Sequence, residues 1–219
     1  MAAPTKGNIT KNSATPGANF RSINHEQNTG NNRFLILFLT MSNGKSYESA
    51  TYGGDAMEFE YTIERGGLSS RMAVFTLVNP KIGINALRVN FNNTVFTPLS
   101  FYAQSFTDCG GFGAEQKLGG GSSPRTGNIT VEQDSLIMVT STSNGANQTV
   151  QIPTGTNVSR TNHNINKRVA VGAISATAHD AGAISVTATT NNVNLTLDRV
   201  EIKGLASSGG GENNFFMVM

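Results

Sequence analysis

The sequence predicts an all-β protein in which antiparallel strands pack as a sandwich. Short stretches rich in β-branched and aromatic residues, such as residues 71–78 and 99–107, are bounded by Gly, Asn and Pro. Residues 57–61 alternate between apolar and polar side chains, and residues 34–41 form an apolar run of strand length between turn residues. A chain of 219 residues is long enough for one such domain with a substantial core.

The composition argues against a nucleic-acid-binding protein. Charged residues make up 14% of the chain, against about 25% in an average soluble domain. The formal net charge is only +2, and Lys167 and Arg168 are the only adjacent basic residues. A single cysteine, Cys109, excludes an intramolecular disulfide, and we expect it to be a buried thiol.

We also predict no membrane partner. Residues 1–8 lack the charged and apolar blocks of a secretory signal. The most apolar run, residues 34–39, is far shorter than the roughly 20 residues that a spanning helix needs.

The first third of the chain predicts an arm followed by strands. Residues 1–30 are polar and punctuated by Pro and Gly, which indicates an N-terminal arm with at most a short strand near residues 8–11. Residues 34–41 are predicted to form a strand buried on both faces. In the next strand, alternation places Met57, Phe59 and Tyr61 on one buried face.

Turn chemistry marks the middle of the chain. Tyr52-Gly53-Gly54 suits a tight corner, because glycine adopts positive φ without strain, and Asn79-Pro80 suits a strand exit. Residues 110–128 are rich in glycine and lack periodicity, so we predict a long loop that is a candidate contact surface.

The last third predicts a hairpin and a final strand. Residues 172–178 are echoed by residues 182–188, which indicates two paired strands turning through residues 179–182. Residues 195–202 form the last strand, and the three-residue step from Leu197 to Val200 predicts a bulge near Asp198-Arg199.

The tail joins a Gly-rich linker to an apolar end. Residues 206–219 close on Phe215, Phe216, Met217, Val218 and Met219. Each of these side chains gains about 1.5–3 kcal/mol when it is buried, so this end gains by docking. We predict that these five residues are assembly contacts, either with other subunits or with the chain's own sheet.

These motifs resemble, in their order, a jelly-roll, lectin-like domain found in virion structural proteins of tailed bacteriophages. The shared features are a strand opening on Tyr52-Gly53-Gly54, a strand ending Leu77-Val78-Asn79-Pro80, the step from Gly83 to Val89, and the strand at residues 99–107. The resemblance covers roughly residues 20–205 and rests on structural motifs. It implies a jelly-roll sandwich, which we assign to residues 31–205, between the arm at 1–30 and the tail at 206–219.

No arrangement typical of an active site is found in the sequence. The three histidines, His25, His163 and His179, lie in polar segments, and no metal or nucleophile motif accompanies them. Glu58 and Glu60 have a spacing compatible with the roughly 5–9.5 Å between the acids of a glycosidase, but they lie opposite Met57, Phe59 and Tyr61, and an exposed polar strand face explains them without a site. We predict no catalytic residue, no cofactor and no metal.

The sequence therefore predicts a non-enzymatic structural protein of the virion: a capsid decoration, head-fibre or tail-associated component. Its expected partners are other virion proteins and further copies of itself, held through the terminal arms. The alternative is a carbohydrate-binding module that recognises host surface glycans, with Tyr102 and Gln104 on one strand face as candidate contacts. The same face would otherwise belong to the core.

Overall fold

The computed structural model describes residues 2–14, 17–42, 47–64, 70–95, 99–143, 148–151, 163–165, 168–175, 177–190 and 195–205. Within these ranges every regular element is a β-strand. The strands are β1 (Thr5–Ala14), β2 (Ala18–Gln27), β3 (Phe34–Ser42), β4 (Tyr47–Tyr52), β5 (Asp55–Ala56), β6 (Glu58–Glu64), β7 (Ser70–Val78), β8 (Gly83–Val95), β9 (Leu99–Thr107), β10 (Cys109–Gly121), β11 (Arg125–Val131), β12 (Leu136–Ser143), β13 (Gln148–Gln151), β14 (His163–Ile165), β15 (Arg168–Ile174), β16 (Gly182–Thr190) and β17 (Leu195–Gly204).

The strands form four antiparallel sheets, which confirms the predicted all-β, sandwich-like class. Sheet I has the order β1-β9-β3-β7-β6 and sheet II the order β2-β8-β4-β5. Sheet III has the order β10-β17-β12-β15-β14 and sheet IV the order β11-β16-β13. Sheets I and II thus come from residues 2–107, the first half, and sheets III and IV from residues 109–205, the second half. This division differs from the boundaries at residues 30 and 205 that the sequence suggested.

The two halves follow the same path. Replacing β1, β9, β3, β7 and β6 of sheet I by β10, β17, β12, β15 and β14 gives the order of sheet III. Replacing β2, β8 and β4 of sheet II by β11, β16 and β13 gives the order of sheet IV. The two-residue β5 is the one strand without a counterpart among the described residues. The chain therefore repeats one strand topology twice, with Asp108 alone between the two copies.

Three apolar cores separate the four sheets in the order II, I, III, IV. The core between sheets II and I is centred on residues such as Leu37, Phe75 and Val89. The core between sheets I and III contains Phe38 and Tyr102 from the first half and Val200 from the second. A smaller core, including Ile137 and Val186, lies between sheets III and IV. The two halves thus pack through equivalent sheets.

Strand β3 confirms the prediction of a strand buried on both faces. Phe34, Ile36 and Phe38 pack towards sheet III. Leu35 and Leu37 pack towards sheet II. Sheet I lies between two other sheets, so neither face of its central strand is exposed to solvent. The apolar run of β3 is continuous because both of its faces are buried.

The predicted N-terminal arm is replaced by two full strands. β1 pairs with β9, and β2 pairs with β8, so residues 5–14 and 18–27 are edge strands of sheets I and II. Ala2 also forms a bridge with Leu205 at the end of β17. The prediction of an arm was wrong because an edge strand is partly exposed to solvent and tolerates the polar side chains that suggested an arm.

Three further predictions were wrong, because strand pairing and the face that each side chain buries depend on residues far apart in the chain. Residues 110–128 are not a long loop: they lie mostly in β10 and β11. The predicted hairpin does not form, because β15 pairs with β12 and β14 while β16 pairs with β11 and β13. β17 has no bulge against β12, because Leu197 and Val200 face different cores.

Strand β6 breaks the predicted alternation. A bulge between Phe59 and Tyr61 shifts the register against β7. Phe59 consequently packs beside Phe75 on the sheet II side, whereas Tyr61 enters the core between sheets I and III. The two predicted turns are confirmed: Gly53 and Gly54 have φ of 57° and 89°, and Asn79 leaves β7 with φ of 51°.

Candidate functional site

Tyr102 and Gln104, the candidate glycan contacts, lie inside the molecule. Tyr102 is 5% exposed and Gln104 is 1% exposed. The Gln104 Nε2 donates to the backbone oxygens of Gly7 (2.8 Å) and Ser105 (3.2 Å). Both side chains belong to the packing between sheets I and III, so a glycan approaching from solvent cannot reach them. The alternative weighed from the sequence, a core role, is the one that the structure supports.

The buried interface between the halves contains a polar pair. Tyr61 of β6 donates its hydroxyl to Asp198 Oδ2 of β17 at 2.6 Å. Asp198 has no solvent exposure, and its Oδ1 has no hydrogen-bond partner among the described residues. Burial raises the pKa of Asp198 to about 7, against the lowering effect of the Tyr61 hydrogen bond. This pair joins the two halves by a hydrogen bond inside their shared core, and both side chains are buried.

Lys117 and Glu115 of β10 border this pair. The Lys117 ammonium lies 3.8 Å from the centre of the Tyr61 ring, a cation–π contact. The same ammonium forms a 2.6 Å ion pair with Glu115. Burial, followed by the nearby Asp198 carboxylate, raises the pKa of the Tyr61 hydroxyl. Tyr61 therefore remains a neutral donor at physiological pH.

The opposite face of β17 carries a second buried carboxylate. Glu201 accepts hydrogen bonds from the Ala114 N–H (2.8 Å), the Glu132 N–H (2.5 Å) and the Ser135 hydroxyl (2.7 Å). These three donors compensate the burial of its charge. Glu201 thus ties β10 and the β11–β12 connection to β17, and its role is structural.

The outer face of sheet II is the most distinctive surface of the first half. We call it the Phe20 face. Its side chains alternate with core residues along β2, β8 and β4, and they are Phe20, Ser22, Asn24, Glu26, Ser49, Thr51, Ile84, Ala86, Arg88 and Asn90. Phe20 is 39% exposed, and the Arg88 guanidinium carbon lies 4.1 Å from the centre of its ring.

Hydrogen bonds fix Arg88 on this face. Its Nε donates to Asn90 Oδ1 at 2.8 Å, and Asn90 Nδ2 donates to Ser49 Oγ at 2.9 Å. Within the described ranges, Arg88 Nη1 and Nη2 donate no hydrogen bond. Sequence reasoning missed this surface because the polar composition of residues 18–27 suggested an arm, which hid the fact that Phe20 and Arg88 share a sheet.

The equivalent face of sheet IV is different. Arg88 is the fifth residue after Gly83, the first residue of β8, and Thr187 is the fifth residue after Gly182, the first residue of β16. Ser22 lies opposite Arg88, and Thr126 lies opposite Thr187. The two threonine hydroxyls are 2.8 Å apart. This face has neither an aromatic ring nor a charge among its described side chains on β11 and β16.

A cleft of about 270 Å³ opens where the halves meet. It is lined by Asn32, Arg33, Phe34, Val78, Asn79, Cys109, Gly110, Gly111 and Leu205. The Arg33 guanidinium donates hydrogen bonds to the backbone oxygens of Pro80 and Gly30. Burial raises the pKa of the Cys109 thiol to about 11. A protonated thiol is a poor nucleophile, so the cleft has no evident chemistry.

The side chains considered for catalysis are dispersed. Glu60 accepts a hydrogen bond from Thr76, and a bulge separates it from the regular spacing that the glycosidase hypothesis assumed. His25 is buried, with Nδ1 2.9 Å from the Thr10 hydroxyl. His179 is buried in a loop whose backbone pairs with Ser135.

Among the residues with described placement, no three His, Cys, Asp or Glu side chains come together as a metal-binding group. The same part of the chain contains no helix with the length and apolar character needed to span a bilayer. The predicted assembly contacts Phe215, Phe216, Met217, Val218 and Met219 lie outside the described residues. His163 is placed in β14, and nothing is described of its side chain.

No protein-family model, curated protein or solved structure matches this chain.

Proposed function

We propose that this chain is a non-enzymatic structural protein of a bacteriophage particle, with two jelly rolls as its body and its C-terminal tail as the assembly contact. Its location would be the virion, as a decoration, head-fibre or tail-associated component. Its partners would be other virion proteins and copies of itself.

The strand order is the observation that carries this proposal. In the first half β1 pairs with β9, β2 with β8, β3 with β7 and β4 with β5. A jelly roll is a long antiparallel hairpin rolled into two sheets, and these pairs support the proposal because such a hairpin would pair its strands in this order. The second half repeats the first three of these pairs with β10–β17, β11–β16 and β12–β15. Viral capsid and lectin domains are common users of this fold, although a fold does not by itself fix a function.

The packing of the halves supports a rigid body. Their shared core is apolar, and Tyr61–Asp198, Lys6–Ser175 and Thr140–Met72 hydrogen bonds cross it. Because residues 5–27 are built into this body, the N-terminal segment is no longer part of the assembly hypothesis. The proposed contact is the tail alone.

Deletion of residues 207–219 tests the assembly contact. We expect the full chain to be an oligomer by light scattering and to copurify with particles, and the truncated chain to be monomeric and absent from them. Phe215→Ser with Phe216→Ser should reproduce this loss. Asn213→Ser with Asn214→Ser is the matched control, because it changes neighbouring polar residues only. Unchanged mass and incorporation after the deletion would refute the tail-docking hypothesis.

Carbohydrate binding is the second candidate function. The Phe20 face favours it, because an exposed ring beside amide and hydroxyl groups offers both an apolar surface and directed hydrogen bonds to a sugar. Tyr102 and Gln104 no longer contribute to this candidate, since both are buried.

A further inference from the structure

A comparison of the two halves shows which side chains the fold requires, because both halves have the same strand topology. The core-facing positions of β8 and β16 are apolar in both halves, as in Leu87 and Val89 or Val186 and Ala188. The outward positions differ: Arg88 corresponds to Thr187, and Ala86 corresponds to Ser185. A jelly roll of this topology therefore forms without an arginine at this position, so Arg88 is not required by the sheet.

The contacts of the Phe20–Arg88 pair leave part of the Arg88 guanidinium without a partner among the described residues. Arg88 is positioned by the Phe20 ring and by Asn90, and these contacts use its planar face and its Nε. The two terminal nitrogens have no hydrogen-bond partner among the described residues. A guanidinium presents such nitrogens as a fork that matches a carboxylate.

The charges nearby do not neutralise Arg88. Ser22 of β2 lies opposite Arg88. Glu26 is four residues further along β2, which places it about 13 Å from Ser22 along the extended strand. Glu48 lies at a bulge in β4, whereas the Arg88 guanidinium reaches to the other side of β8, over Phe20 of β2. The positive potential at Arg88 is therefore local and available to an anion.

We propose that the Phe20 face binds a carboxylate-bearing saccharide, with Arg88 pairing the carboxylate and Phe20 packing against the sugar ring. The hydroxyl and amide side chains of Ser22, Asn24 and Thr51 supply hydrogen bonds around this contact. A nucleic acid is a poorer fit, because one cation gives little phosphate affinity. Phe20 and Ile84 are the large apolar side chains of this face, and Ile84 lies six residues along β8 from Asn90, the residue opposite Phe20. About 20 Å of strand therefore separates them, and a protein partner is a poorer fit because the face has no continuous apolar patch.

The inference deepens the carbohydrate-binding candidate and is independent of the tail. The test is isothermal titration of the full chain with sialyllactose beside lactose, and with a galacturonate oligomer beside its methyl ester. We expect the acidic member of at least one pair to bind at least tenfold more tightly than the neutral one. We expect Arg88→Thr, which installs the residue found at the equivalent position of the second half, and Phe20→Ser each to weaken that binding at least tenfold.

Thr187→Ala is the matched control on the second half, and it should leave the binding unchanged. Arg88→Lys should weaken the binding severalfold, because lysine keeps the charge but loses the fork. Thermal unfolding of Arg88→Thr should match that of the unmodified chain, which excludes misfolding as the cause. Absence of binding to both acidic probes, equal binding of the neutral probes, or binding that survives Arg88→Thr would overturn the proposal. Particle incorporation of Arg88→Thr would remain normal in each case, so the structural function is tested separately.

Discussion

The Tyr61 hydroxyl donates a hydrogen bond to Asp198 Oδ2 across 2.6 Å, and this contact joins β6 of the first half to β17 of the second. The pair lies in the apolar core between sheets I and III, where an unpaired carboxylate would be costly. It therefore couples the packing of the two halves to the protonation state of one carboxyl group.

Removing the Tyr61 hydroxyl should destabilise the protein. Tyr61→Phe leaves Asp198 Oδ2 buried without its donor, which costs about 1–3 kcal/mol in the free energy of unfolding. Urea unfolding of the wild type, Tyr61→Phe, Asp198→Asn and the double variant measures the coupling of the pair. If the two single effects simply add, the hydrogen bond does not contribute to stability.

Stability should fall as pH rises towards neutrality because of Asp198. Burial raises the pKa of this carboxyl to about 7 in the folded chain, whereas an unfolded aspartate has a pKa of about 3.9. The folded state holds the proton more tightly, so this stabilisation is complete below about pH 4 and is lost as pH rises through 7. Melting temperatures at pH 5 and pH 8 should differ less in Asp198→Asn than in the wild type. An identical difference in both proteins would contradict the assignment.

His25 should act in the opposite direction. Burial lowers the pKa of its imidazole to about 4, from about 6.5 in an unfolded chain. The unfolded state therefore binds the proton first, and stability falls as pH decreases from 6.5 through 4. His25→Gln should remove this loss, which denaturant midpoints at pH 4.5 and pH 7 would show. A midpoint shift equal to that of the wild type would mean that another group is responsible.

Gly113 should not tolerate a side chain. A Cβ at this position would lie 2.2 Å from Glu201 Oε2, and the Glu201 carboxylate is held in place by the Ala114 and Glu132 N–H groups and by Ser135. Gly113→Ala should lower the free energy of unfolding by about 1–3 kcal/mol, because the clash falls on a fixed group.

The matched control is Gly121→Ala, also in β10. Its added Cβ would meet Arg125 Nη1, the end of a flexible side chain that can move aside. We expect the control to unfold at nearly the wild-type urea midpoint. A larger loss for Gly121→Ala than for Gly113→Ala would show that Glu201 is not rigidly held.

Several features were predictable because they depend on residues that are close together in the sequence. The apolar run of β3, the glycine corner at Gly53-Gly54 and the exit at Asn79 each depend on the residues within a few positions. The all-β class follows from many such segments. Polar composition, by contrast, could not distinguish an arm from the edge strands β1 and β2, since an edge strand buries only part of its surface.

The sequence by itself determined the all-β class and strands with a strong local pattern, such as β3, β7 and β9, because alternation, apolar runs and turn residues act over a few positions. Only the tertiary structure decided which strands pair, that two halves repeat one topology, and that Phe20 lies beside Arg88 while Tyr102 is buried between sheets I and III. The physical reason is that these relationships join residues far apart in the chain. They are set by the burial of complete sheet faces and not by the propensity of any one segment.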